Sequence, residues 1–147
     1  MGAIEIDAII TAIEARLVAQ VANIQIMDRL DDPKENPRLR AHYGVRAWPD
    51  TTDILESYTD GGIERVTDTV EVESLYELRR SGSAGRGAAL AFERAIRLAL
   101  TNETWYRSIE DGIEVRYSGS ERDKEEGWVF ITSTFEVDHD IELGGGI

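Results

Sequence analysis

Apolar and polar residues alternate most cleanly between positions 111 and 141. Ile113, Val115 and Tyr117 alternate with Glu114, Arg116 and Ser118, and further on Val129, Ile131, Phe135 and Val137 fall on one parity. This is the period-two pattern of two half-buried strands, and it predicts a hairpin. Residues 119–127 between them are polar, with glycine at each end. The stretch is too long for a tight turn and too charged to bury, so the expectation is a mobile loop in solvent or against a partner.

Elsewhere the spacing changes to that of helices. Ile6, Ile10, Ile13, Leu17 and Val21 recur at three- and four-residue steps and predict a helix over 7–21, with Asp7 as its cap or in its first turn. Ile24 and Ile26 alternate with Gln25 as in a short strand. A second helix is expected over 88–101, where Phe92, Ile96 and Leu100 stand four apart and Glu93 with Arg97 makes an i,i+4 pair. Leu17, Ile96 and Ile131 therefore belong to three apolar faces expected to share one core.

Residues 30–50 hold all three prolines and read as a long extended loop, while 52–78 read as two strands about an Asp60-Gly61-Gly62 turn. The tail 143–147, with its three glycines, is expected to fray. The resulting class is α+β: a small mixed or antiparallel sheet with two main helices against it, in the order α-β-(long loop)-β-β-α-β-β. At 147 residues one domain, 1–147, is expected, large enough for a single core without staples.

Composition narrows the chemistry. The chain has no cysteine, which removes disulfides and thiolate chemistry together and suits a reducing cytoplasm. The start Met-Gly-Ala-Ile-Glu-Ile lacks the basic region of a signal peptide and no apolar run reaches membrane-spanning length, so the whole chain is expected as the mature protein, away from membranes. A net charge of −13 argues against gripping nucleic acid through its phosphates. That charge is unevenly spread: residues 51–77 hold one basic and eight acidic residues, 101–147 hold four and twelve, whereas 78–100 hold five and one. Solvation of edges and surfaces explains such a pattern. So does charge-complementary contact between copies of the protein.

Candidate chemistry is sparse. Arg79 to Gly87 is rich in glycine and serine before a helix, yet it lacks the G-x-x-x-x-G-K-[ST] arrangement of a phosphate loop. Neither His42 nor His139 accompanies a nucleophile motif. Asp138-His139-Asp140 resembles a metal-ligand set, but alternation puts the two aspartates on one face and the histidine on the other. Glu71 with Glu73, and Asp123 with Glu125, lie in runs expected on solvated faces with nothing to perturb their titration. The reading assigns no catalytic, cofactor or metal residue. For partner contact it singles out Arg38, Arg40, His42 and Trp48 in the long loop, and Arg79, Arg80 and Arg86 before the second helix. It adds Glu121, Asp123, Glu125 and Glu126 in the hairpin loop. For the long loop the plainer alternative is a surface excursion whose Trp48 packs down on the sheet.

The order of elements carries a resemblance. A first helix patterned Asp7-Ala8-Ile9-Ile10-x-Ala12-Ile13-x-Ala15-Arg16-Leu17, strands, a proline-bearing excursion, an alanine-rich helix and a closing strand pair (113–117 and 130–137) together resemble the tail terminator proteins of long-tailed bacteriophages. The likeness covers most of the chain and is one of pattern and order. It implies a small domain with helices on a mixed sheet that assembles into a ring, usually a hexamer. That ring caps the tail tube protein, presents a surface to the head-completion or connector protein, and lets DNA pass through its channel without specific binding. The implied location is the virion neck, after assembly in the bacterial host cytoplasm. Other readings are a head-completion protein, a tube subunit, or a small acidic binding module of a bacterium.

Overall fold

The computed structural model describes residues 3–22, 24–27, 43–58, 62–77, 85–125 and 127–143. Five strands form one mixed sheet in the order β1-β2-β3-β5-β4, so the fold is α+β as expected. In chain order the elements are α1 (Ile6–Gln20), β1 (Ile24–Ile26), β2 (Tyr43–Tyr58), β3 (Ile63–Glu77), α2 (Gly85–Leu100), α3 (Glu103–Ile109), β4 (Glu114–Glu125) and β5 (Trp128–Glu142). β1 runs parallel to β2, and the other three pairings are antiparallel.

All three helices pack on one face. α1 covers β1 and β2, α2 lies over β3 and β5 beside α1, and α3 meets β4. The buried stripe of α1 is Ile9, Ile10, Ile13 and Leu17, and it meets Val45, Val70 and Val72 of the sheet. Phe92, Ile96 and Leu100 of α2 join Ile131, Phe135 and Val137 of β5 in the same core. Leu17, Ile96 and Ile131 are thus members of one cluster, each with almost no exposed surface. Arg16 Nε donates to the Ala99 carbonyl at 3.1 Å, placing a cation at the carbonyl end of α2. α1 has no side-chain cap, and Asp7 lies in its first turn.

Four expectations need correction. Residues 43–50 belong to β2 rather than to a loop. Pro49 is tolerated there because, among the described residues, β1 pairs with Tyr43 to Val45 and no strand pairs with the β2 edge beside Pro49. Residues 30–42 of that expected loop lie outside the described residues, as do 78–84, Glu126 and the tail beyond Leu143.

The expected hairpin loop 119–127 is strand up to Glu125, paired residue by residue with β5 as far as Trp128. Its ladder shifts between Tyr117 and Gly119, whose φ of 151° no side-chain-bearing residue adopts easily. The bulge reverses the parity of everything beyond it, turning Arg122 toward the helices and Glu121 and Asp123 away. That reversal is why the stretch shows no clean alternation in continuity with 113–117.

A third helix, α3, is also present. It is started by Asn102, whose Oδ1 accepts from Trp105 N at 2.9 Å, a cap visible in Asn102-Glu103-Thr104 had the segment been longer. Finally, Glu93 does not serve an i,i+4 surface pair. Its carboxylate takes Arg122 Nε at 2.7 Å and Nη2 at 2.6 Å, while Arg97 lies over the Tyr117 ring, 4.3 Å from its centroid.

Candidate interaction surfaces

The sheet has two unlike faces because its strands alternate. The inner face is apolar and carries the helices; the outer face presents Thr69, Glu71 and Glu73 from β3, Thr132, Thr134 and Glu136 from β5, and Glu114, Arg116 and Glu121 from β4. Among the described residues no helix covers this outer face. At one end it turns apolar, where Met27 and Leu75 are buried with Trp128 and Phe130 against them. The remainder is acidic and hydroxyl-rich.

Arg46, Arg65 and Arg116 partly neutralise this face. Arg46 reaches Glu73 at 3.3 Å. Arg116 grips Asp138 with Nη1 to Oδ2 at 2.5 Å and Nη2 to Oδ1 at 3.1 Å, and its guanidinium also lies near Glu114 and Glu136. Burial acts to raise the Asp138 carboxyl, but hydrogen bonds from Arg116 and Thr67 and the charges of Arg116 and Arg65 outweigh it and hold the group below the usual aspartate range. Glu71 goes the other way. Partial burial, and then the charges of Asp50, Glu73 and Glu121, push it above the usual glutamate range. Glu71 therefore does not behave as an ordinary solvated glutamate; its perturbing neighbours Asp50 and Glu121 come from other strands, and adjacency in sequence shows only Glu73. A groove lined by Asp50, Glu71, Ser118, Glu121, Thr132 and Thr134 marks the spot.

The Asp138-His139-Asp140 triplet divides between faces as its alternation requires. His139 is buried in the core, with Nε2 2.6 Å from Asp68 Oδ2 and Nδ1 2.8 Å from the Ile4 carbonyl. Asp138 accepts from Thr67 Oγ1 at 2.6 Å, and Asp140 pairs with Arg65 at 3.3 Å. Among the described residues no group of three ligand-type side chains is arranged to hold a metal, and no helix is long and apolar enough to cross a membrane.

The lateral edges differ as well. On the β2 side, residues 51–56 are exposed without exception, Ile54 at 64% and Leu55 at 56%. A register shift between Ile54 and Glu56 leaves Leu55 out of the ladder. On the β4 side a groove runs between α2 and β4, lined by Leu90, Arg94, Arg97, Leu98 and Tyr117, with Glu93 at its base occupied by Arg122.

Of the residues singled out for contact, Trp48 is 61% exposed on β2, with the Arg46 guanidinium 5.8 Å from its ring centroid, and does not pack down on the sheet. Arg86 is exposed in the first turn of α2. Glu121 and Asp123 are exposed on the outer face, and Glu125 is the last residue of β4. Arg38, Arg40, His42, Arg79, Arg80 and Glu126 lie outside the described residues. Sequence reasoning missed the Leu90–Arg94–Leu98 stripe, although its i, i+4, i+8 spacing was available; the inward stripe Phe92–Ile96–Leu100 lies two positions away. It also read residues from 52 onward as strand without marking 51–56 as a surface. No family model matches the chain, and no curated protein matches it in sequence.

Proposed function

We propose that this chain is a structural virion protein of the tail terminator type, copies of which form a ring, six to a turn, that caps the tail tube of a long-tailed bacteriophage and offers a surface for head attachment. The observation that carries the reading is the outer face of the sheet, which no helix among the described residues covers. The described helices lie on the opposite face, and the outer glutamates and threonines form a polar, acidic wall across β3, β5 and β4. A wall of that kind facing a channel repels phosphates and lets a polyanion slide past, which is what a DNA conduit requires and what a gripping site does not. The overall charge of −13 acts in the same direction. In this reading the partners are further copies of the chain, the tube protein and the connector, and the location is the neck of the virion after assembly in the host cytoplasm.

The test uses tubes polymerised from the tail tube protein encoded in the same genome, with and without the full chain. Tubes that stop at bounded length with a ring of density at one end are expected in negative stain. Unchanged tube lengths with no terminal ring overturn the proposal, and polymerisation of this chain itself into tubes would identify it as the tube subunit instead.

A further inference from the structure

The two lateral edges of the domain are complementary to each other. We infer that residues 51–56 of β2 in one copy dock in the groove between α2 and β4 of the next, an inference that rests on the ring reading and names its contact. The strand order β1-β2-β3-β5-β4 sets the far part of β2 and the β4 side at opposite ends of the sheet, since among the described residues β1 pairs with β2 over Tyr43 to Val45 and no strand pairs with that edge beyond it. A contact between opposite ends is heterologous: each copy uses one end to hold a neighbour and the other to be held, and repetition closes into a ring or runs on as a filament.

Chemistry pairs the two ends. The β2 segment offers Ile54 and Leu55 to solvent, flanked by Asp53 and Glu56. The groove offers Leu90, 43% exposed, and Leu98, 58% exposed, flanked by Arg94 and Arg97. The one acid in the groove, Glu93, already holds Arg122 by two hydrogen bonds, so the field there is set by the two arginines. Exposed leucines and isoleucines at both ends lose water on contact, and the aspartate and arginines fix which end meets which.

The alternative of edge-to-edge strand pairing is poorly served by this segment. Pro49 has no amide hydrogen to give, two ladder shifts twist the strand at Asp50 and Leu55, and the acids would face their own copies in a symmetric pair. Side-chain docking in a groove needs none of those backbone groups.

The absence of native cysteine makes the contact directly testable. Two double variants of the full chain, Leu55→Cys with Leu98→Cys and Leu55→Cys with Leu90→Cys, bracket the groove, and Leu55→Cys with Thr11→Cys on α1 serves as control. Under mild oxidation at least one groove pair should give a reducible ladder of covalent species beyond the dimer, because each chain then carries both halves of a head-to-tail bond; the control should give no ladder. Failure of both groove pairs to go beyond dimers, or a control that ladders equally, overturns the contact. Tube capping by the unmodified chain, measured in parallel, separates the two claims: capping without a ladder leaves the terminator reading standing and removes this interface, whereas a ladder without capping keeps the interface and removes the terminator reading.

Discussion

His139 on β5 and Asp68 on β3 meet inside the core, with Nε2 2.6 Å from Oδ2 and neither side chain reached by solvent. The other ring nitrogen lies 2.8 Å from the Ile4 carbonyl, an acceptor only, so Nδ1 carries a proton. Thr52 of β2 donates to the remaining Asp68 oxygen. One imidazole thereby links two central strands, the strand beside them and the segment entering α1.

Replacing His139 by alanine strands the Ile4 carbonyl, leaves Asp68 with Thr52 alone and opens a hole beside α1. A loss on the order of 2–5 kcal/mol is expected, from unsatisfied groups of about 1–3 kcal/mol each and a cavity term. Denaturant unfolding measures it. A midpoint within error of the parent would mean that the N-terminal segment does not depend on this link.

Leu17, Ile96 and Ile131 come from three elements and converge in one fully buried cluster. Each changed to alanine should lower stability by about 2–5 kcal/mol. Because the sites share a core, the double variant Leu17→Ala with Ile96→Ala should depart from additivity by more than about 0.5 kcal/mol. Strict additivity would argue for two independent packing units.

What the sequence made legible and what it hid have a common physical basis. Period-three-to-four stripes and period-two runs are local, and they located α1, α2, β3, β5 and the near half of β4. Bulges are not local in that sense. Gly119 inverts the parity of β4, so strand was read as loop there, and the ladder shift in β2 puts Leu55 outside the ladder, so 52–56 was read as strand without being marked as a surface. Partners distant in sequence were equally hidden: His139 and Asp68 are 71 positions apart, and Arg122 and Glu93 are 29. Charge counts showed that acidic strands and a basic helix exist, but only the strand order shows that an acidic edge and a basic groove stand at opposite ends.

Glu71 is held above the ordinary glutamate range by partial burial and by Asp50, Glu73 and Glu121. Its ionised form is therefore disfavoured in the folded chain relative to the unfolded one, which costs stability at pH above its folded value and ceases to cost as pH falls through that value. Glu71→Gln should raise the Tm at neutral pH, with the gain shrinking on acidification. A gain independent of pH would assign the effect to packing rather than charge.

Asp138 has the opposite sign. Arg116 and Thr67 hold its carboxyl below the ordinary range, so its contribution is full above the unfolded value and is lost as pH falls through the depressed folded one. Asp138→Asn should cost about 1–3 kcal/mol at neutral pH, the scale of a lost charged hydrogen bond. The gap between variant and parent should close in acid. A gap that widens there would contradict the Arg116–Asp138 geometry.

The far half of the β4–β5 hairpin is expected to matter for folding because it is ladder and not loop. Gly119 has φ 151° and nothing within 4 Å of where a Cβ would sit, so Gly119→Ala meets no clash but does meet a disfavoured backbone. A cost of about 1–3 kcal/mol is expected from that strain alone. Cutting the hairpin back to a tight turn after Gly119 should cost more, since it also deletes Arg122 and frees the buried Glu93 carboxylate from its two hydrogen bonds. Replacing Arg122 by alanine in the full-length hairpin isolates that second effect. The order of melting temperatures should be parent, then either point variant, then the shortened chain. If the shortened chain melts with the parent, the pairing from Ser120 to Glu125 contributes nothing and the stretch acts as the solvated loop its composition suggests.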